Sequence, residues 1–113
     1  MSASRIETLL AFYDEDPTDT FTQFALAQEY RKAGQPEQAV AFFEGLVRDH
    51  PDYVGTYYHL AEVYRDEDRT DDAIAVLDRG IQEGQRQRDF KAVSEMRDLL
   101  MQLQGIGFDD DDE

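Results

Sequence analysis

Apolar residues recur at intervals of three and four along six stretches of this chain, the spacing of amphipathic helices. Ile6, Leu9, Leu10 and Tyr13 define the first, over 4–15, with Phe12 widening the stripe. Ser4 is placed to cap it, Glu7 completes a capping-box pattern, and Asp14-Glu15-Asp16-Pro17 stops it. Thr18-Asp19-Thr20 offers caps for a second helix over 19–33, and Gly34 stands where a helix-ending glycine belongs. Pro36 opens a third helix, which runs to about Asp49 and ends at His50-Pro51. A fourth spans about 53–66, followed by the polar turn Asp66-Glu67-Asp68-Arg69. Thr70 is the expected cap of a fifth helix, with Asp71 and Asp72 at the positive end of its dipole. It runs to Gly84 or beyond, and Gln85 to Arg88 suits either a loop or an extension. Asp89 caps a sixth helix, with Phe90, Val93, Met96, Leu100 and Leu103 on one stripe and Leu99 widening it. Gly105 and Gly107 end that helix, and no segment shows useful strand alternation.

The middle of the pattern occurs twice. Residues 17–50 overlay 51–84 without a gap, and eight of the 34 positions are identical. They are Pro17/Pro51, Thr22/Thr56, Leu26/Leu60, Ala27/Ala61, Tyr30/Tyr64, Arg31/Arg65, Ala39/Ala73 and Ala41/Ala75. Small residues at Ala27 and Ala39 let two helices approach, with Tyr30 and Phe43 filling the space beside them. The first helix matches half of the period: Ile6 aligns with Val40, Leu9 with Phe43, Phe12 with Leu46 and Tyr13 with Val47.

An aromatic, Leu, a small residue, Tyr, Ala, an aromatic and Pro at these offsets resemble the tetratricopeptide repeat. The second copy reads Tyr57-x-x-Leu60-Ala61-x-x-Tyr64, then Ala73-x-x-x-Leu77; the first reads Gln23-x-x-Leu26-Ala27-x-x-Tyr30, then Ala39-x-x-x-Phe43 and Pro51. Gln23 in place of an aromatic is expected to loosen the entry to the first repeat. Gln85 stands where the next proline would be, so no third full repeat is signalled. The resemblance covers about Ile6 to Gly84. It implies an all-α fold of about six helices, antiparallel hairpins stacked as a short right-handed superhelical solenoid. A single domain is expected over 1–104: an N-terminal helix at 4–15, repeats at 17–50 and 51–84, and a capping helix at 89–104. The acidic tail at 105–113 is expected to be disordered.

Composition narrows the partners. The net charge is −15, from 26 acidic and 11 basic residues, which disfavours nucleic acid and anionic membranes. Cysteine is absent, excluding disulfide scaffolds and thiolate metal sites. Neither a signal peptide nor a membrane span is legible, so the expected location is the cytoplasm. Asp outnumbers Glu by 16 to 10, and Lys32 and Lys91 are the only lysines. Such a surface suits concentrated salt, where screening removes self-repulsion. The melting midpoint is therefore expected to rise as KCl is raised from low to multimolar; an unchanged midpoint would refute the salt-adapted surface.

The first helix of each repeat carries a second stripe beside its core stripe. It comprises Phe21, Phe24, Gln28 and Arg31, echoed by Gly55, Tyr58, Glu62 and Arg65. The resemblance implies that this stripe lines a concave groove holding an extended peptide or a partner helix. Phe24 and Tyr58 are the candidate aromatic anchors, with packing against neighbouring helices as the competing role. Arg31, Lys32 and Arg65 are candidates for pairing with acidic groups on the ligand. One subgroup of the family grips a terminal carboxylate with Lys and Asn; Phe24, Gln28 and His59 stand there, so that activity is not carried over. Phe108 followed by five acids suits docking near Arg31 and Arg65. His50 and His59 form no metal-ligand pattern, no phosphate loop is present, and no nucleophile–base constellation appears. The sequence thus points to a non-enzymatic module that binds a protein or peptide without cofactor or metal. The alternative is a self-associating module stacking through its terminal helices, and the expected state is a monomer or weak homo-oligomer.

Overall fold

The computed structural model describes residues 2–105, with side chains from Arg5 onward. The expected disorder of the tail, Gly107 and Phe108 lie outside the described residues. Six helices are present: α1 (Ser2–Glu15), α2 (Thr20–Lys32), α3 (Pro36–Asp49), α4 (Gly55–Asp66), α5 (Thr70–Gln87) and α6 (Phe90–Gln104). The described residues contain no strand. The helices fall into two compact units, one ending at Thr56 and one beginning at Tyr57.

In the first unit, α2 and α3 form a hairpin around Leu26, Ala27, Ala39, Phe43 and Leu46, all fully buried. α1 packs on it through Ile6 and Leu9, which join Leu26 in one apolar cluster. The Tyr13 ring meets Phe42 edge-on at 5.3 Å. α1 begins at Ser2, so Ser4 lies inside the helix and does not cap it. Ala3, the best helix former, lets the helix extend back at little cost. Asp19 caps α2, its carboxylate accepting from the Thr22 N–H at 2.9 Å and the Thr22 hydroxyl at 2.6 Å. The first repeat's entry is not loosened at Gln23. That side chain is buried, and its Nε2 donates to the Pro17 carbonyl at 2.6 Å, tying the α1–α2 turn down. The His50 ring lies 2.9 Å from the Thr18 carbonyl and holds the far end of α3 to the same turn.

The end of α2 recurs one period later with different chemistry. Gly34 adopts φ +74°; Gln35 N–H bonds to Tyr30 O at 2.9 Å and Gly34 N–H to Arg31 O at 3.1 Å. Those two bonds make a Schellman cap. After α4, Arg69 N–H bonds to Tyr64 O at 2.8 Å and Asp68 N–H to Arg65 O at 3.1 Å. The left-handed residue is now Asp68, at φ +60°. A Cβ in this conformation costs about 1 kcal/mol, and a carboxylate at a helix C-terminus opposes the dipole. Asp68→Gly is therefore expected to stabilise the protein by about 1 kcal/mol, read as a rise in the urea midpoint. A fall in that midpoint would show that Asp68 serves the turn in another way.

α4 starts at Gly55, two residues later than expected, because Pro51 to Val54 form turns, and from Tyr57 onward it belongs to the second unit. Thr70 is the first residue of α5 rather than its cap; Arg69 holds the cap position without a side-chain cap bond. Its guanidinium instead bonds Asp72 at 2.9 Å and lies 4.4 Å over the Tyr64 ring. With no proline at Gln85, α5 continues to Gln87, which settles the ambiguous stretch as helix. Asp89 caps α6, accepting from the Ala92 N–H, and Gly105 ends it at φ +70°. The buried face of α6 is Val93, Met96 and Leu99; Phe90 is 64% exposed and lies off the stripe assigned to it.

Close approach in this unit depends on Gly80 and Gly84, four residues apart on α5. A Cβ at Gly80 would lie 2.5 Å from Tyr57 Cβ and 2.6 Å from Met96 Sδ. One at Gly84 would lie 2.8 Å from Val93 Cγ2. The two glycines form the surface on which Tyr57 of α4 and Val93 and Met96 of α6 come to rest.

Candidate interaction surface

The helical period places Phe21, Phe24, Gln28 and Arg31 along one side of α2 in the first unit. Phe21 is 70% exposed. Phe24 is half-buried, with its ring edge-on to Phe43 and to Tyr53, each at 5.7 Å. Much of the Phe24 ring is therefore spent on packing inside the unit. Tyr53, 40% exposed, brings further aromatic surface to the same place. Sequence reasoning missed Tyr53, because it belongs to the turn before α4 and to no helical stripe. Gln28 and Arg31 are half-buried.

The cations of α2 are partly committed within the unit. Lys32 Nζ lies 3.4 Å from Glu29, which also accepts from Arg5 Nε at 2.8 Å. Glu29 is buried. Burial works against its ionisation, but Arg5 and Lys32 outweigh that and hold its carboxyl below the ordinary value. Asp19 is lowered too, first by the Thr22 hydroxyl and then by the Thr22 N–H. A lowered folded-state pKa contributes stability above the ordinary value of about 4, and this is lost as pH falls through the lowered one. Glu29→Gln is thus expected to melt below the wild type at pH 7, the gap closing as pH falls below the ordinary carboxylate range and through the lowered pKa. A gap independent of pH would show that charge is not what Glu29 contributes.

In the second unit α4 presents Tyr58, Glu62 and Arg65, all half-buried. Burial pushes the Tyr58 phenol up, and the Glu62 carboxylate adds to the effect. The phenol stays protonated and serves as a donor to Glu62. His59 Nδ1 lies 3.6 Å from Glu62, and the His59 ring meets Tyr58 edge-on at 5.9 Å. Glu95 of α6 acts electrostatically on the same phenol, so α6 supplies a charge beside the α4 stripe. Arg65 pairs with Asp66 at 3.1 Å. The arrangement offers aromatic edges, a phenol donor and carboxylate acceptors.

Two clefts in the first unit lie away from these stripes. One of about 190 Å³ is lined by Tyr13, Gln23, Ala41, Phe42, Gly45 and Arg48. The other, of about 320 Å³, is lined by Ile6, Glu7, Tyr30, Ala33 and Gln35. Among the described residues, no three His, Asp or Glu side chains are grouped to hold a metal ion. None of the described helices is long and apolar enough to cross a membrane.

Comparison with known proteins agrees with the repeat. A family model described as tetratricopeptide repeat matches residues 30–96. A crystal structure of a tetratricopeptide repeat domain protein from Salinibacter ruber is 45% identical, with TM-score 0.73, over 78% of this chain and 98% of that one. A solution structure of a tetratricopeptide repeat domain protein from the same organism is 45% identical, with TM-score 0.76, over 83% of this chain and 95% of that one. The Yersinia enterocolitica type III secretion translocator chaperone SycD is 13% identical, with TM-score 0.82, over 91% of this chain and 72% of that one, a likeness of fold. No curated protein matches.

Proposed function

This chain belongs to the tetratricopeptide repeat family, and from that premise we propose that it binds a peptide or helix of a partner protein, without chemistry, along the outward stripe of the first helix of each repeat. Such stripes line the concave groove of the family. The observation that carries this reading is the aromatic surface left in water on the first unit. Phe21 is 70% exposed beside a fold that buries Phe43 and Tyr57. Large exposed aromatics give contact area at low entropic cost. Phe21, Phe24 and Tyr53 supply the apolar contacts, Tyr58 a phenol, and Gln28, Arg31, Lys32, Glu62 and Arg65 the polar ones. Affinity capture from the host of origin, at its own salt concentration, tests the proposal. A partner retained by the wild type and lost by Phe21→Ala supports it; equal retention by both overturns it.

Self-association is a second reading, and one residue favours it. Phe12 is 53% exposed, whereas Leu46, its counterpart one period later, is fully buried. On the same helix Ile6 and Leu9 are buried against α2, so Phe12 alone carries the argument. Sedimentation across a concentration range tests it: a strict monomer removes the reading, and an oligomer dissociated by Phe12→Ser supports it.

A further inference from the structure

The acidic excess of this chain neutralises its cations unevenly. Arg5, Lys32, Arg48, Arg65, Arg69 and Arg86 each pair with a neighbouring carboxylate. Arg79, Arg88, Lys91 and Arg97 are exposed and make no ion pair with any other described residue. All four lie on the second half of α5, its end, or α6. Five of the eleven basic residues fall between Arg79 and Arg97, against three acids. This is the one cationic stretch of the sequence.

α6 itself has two unlike outer flanks. Phe90, Arg97 and Met101 are spaced by seven and four and so share one flank, with Ser94 and Gln104 between and beyond them. Phe90 is 64% and Met101 48% exposed. The other flank carries Lys91 with two acids, Glu95 and Asp98. One flank therefore offers apolar surface with an unpaired guanidinium, and the other would repel an anion. Gly105, in the left-handed conformation, ends α6.

We propose that the Phe90–Arg97–Met101 flank of α6 seats the chain's own tail, Ile106 to Glu113, folded back along the helix. The tail has the complementary composition: Ile106 and Phe108, then Asp109–Glu113. Its length fits. Along α6, Met101 lies about 6 Å, Arg97 about 12 Å and Phe90 about 22 Å before Gly105, at 1.5 Å per residue. An extended strand reaches about 10 Å by Phe108 and about 13–27 Å from Asp109 to Glu113. Phe108 thus reaches the level of Met101, and the carboxylates reach Arg97 and beyond. No other stretch of the sequence as long as Arg79 to Arg97 gathers basic residues in such excess over acids. The proposal is independent of the partner-binding reading, because it concerns a face of α6 away from the Tyr58 and Glu62 stripe.

The absence of native cysteine makes the test direct. A nitroxide attached through Glu113→Cys is expected to remove the amide signals of α6 around Arg97 in isotope-labelled full-length protein at low ionic strength. Arg97→Glu is expected to restore them, and about 1 M salt to do so in part. Retention of the α6 signals throughout overturns the proposal and leaves the flank to an external acidic partner. Signal loss that persists in Arg97→Glu overturns the electrostatic seating. Mixing spin-labelled, isotope-free protein with unlabelled, isotope-enriched protein separates the sources. Signal loss in that mixture assigns the seat to a second copy and overturns the intrachain one.

Discussion

Gly80→Ala is expected to destabilise the protein by about 2–3 kcal/mol and to lower its melting temperature by roughly 10 °C or more. Helix propensity alone predicts the opposite sign, since alanine in a helix interior is favoured over glycine by about 1 kcal/mol. Packing decides the matter here. The new Cβ would sit 2.5 Å from Tyr57 Cβ, an atom held by its own backbone, and 2.6 Å from Met96 Sδ. The methionine end can swing away, but the tyrosine Cβ cannot move without moving α4. Gly45, in the middle of α3, gives the internal control. A Cβ there meets only the far end of the Arg48 side chain, at 3.4 Å. Gly45→Ala is expected to be stabilising by about 0.5–1 kcal/mol, the propensity term by itself. Thermal melts of the two variants check both. Equal shifts of either sign would mean that the α5 surface yields and that close approach at Gly80 does not limit the fold.

This contrast marks where the sequence was legible. The doubling of Leu26, Ala27, Tyr30 and Ala39 at Leu60, Ala61, Tyr64 and Ala73 shows the hairpins directly, because burial forces the same residue sizes at the same offsets. Cap chemistry was equally plain at Gly34, Pro36 and Asp89, where a single side chain or φ value satisfies the helix end, and was narrowed to Thr18-Asp19-Thr20 before α2, where the structure selects Asp19. Gly80 and Gly84 were not legible as packing residues. A glycine inside a helix looks like a weakness or a terminus until the helices packed on it are seen, and here those are α4 and α6 at Gly80 and α6 at Gly84. The end of α5 was open for the same reason: Gln85 to Gln87 have no apolar signal of their own, and α5 continues because nothing stops it.

The candidate surface was legible in part. A 100° turn per residue was enough to separate Phe21, Phe24, Gln28 and Arg31 from the buried side of α2. It did not tell an anchor from a packing residue on that stripe. Tyr53 made the difference for Phe24, and a turn residue that folds back onto a helix leaves no periodic trace. Glu95 likewise reaches the Tyr58 environment from a helix that lies outside the repeat. Charge was legible as a total and illegible as a pattern, since Arg65 and Arg97 are each followed by an aspartate, yet only Arg65 pairs with its neighbour, Asp66.

Phe24→Ala and Phe21→Ala are expected to give opposite results, although the two rings are three residues apart on one stripe. Phe24 is half-buried and touches Phe43 and Tyr53 edge-on. Its truncation removes about half the burial of a core phenylalanine and two ring contacts, for a loss of about 2–3 kcal/mol. It also uncouples Tyr53 from α2, so any loss of partner affinity will accompany a loss of stability. Phe21 is 70% exposed, and removing it should change stability by no more than about 0.5 kcal/mol. If the outward stripe of α2 is the binding surface, Phe21→Ala should weaken partner binding by about tenfold or more while the melt stays in place. Urea unfolding and a binding titration, run on both variants and the double variant, separate the effects. Should Phe21→Ala bind as the wild type does, the α2 stripe is not the contact surface, and the aromatic cluster of Phe24, Phe43 and Tyr53 serves the fold alone. Should Phe24→Ala leave both the urea midpoint and the affinity unchanged, the edge contacts contribute nothing measurable and the turn before α4 holds its shape without them.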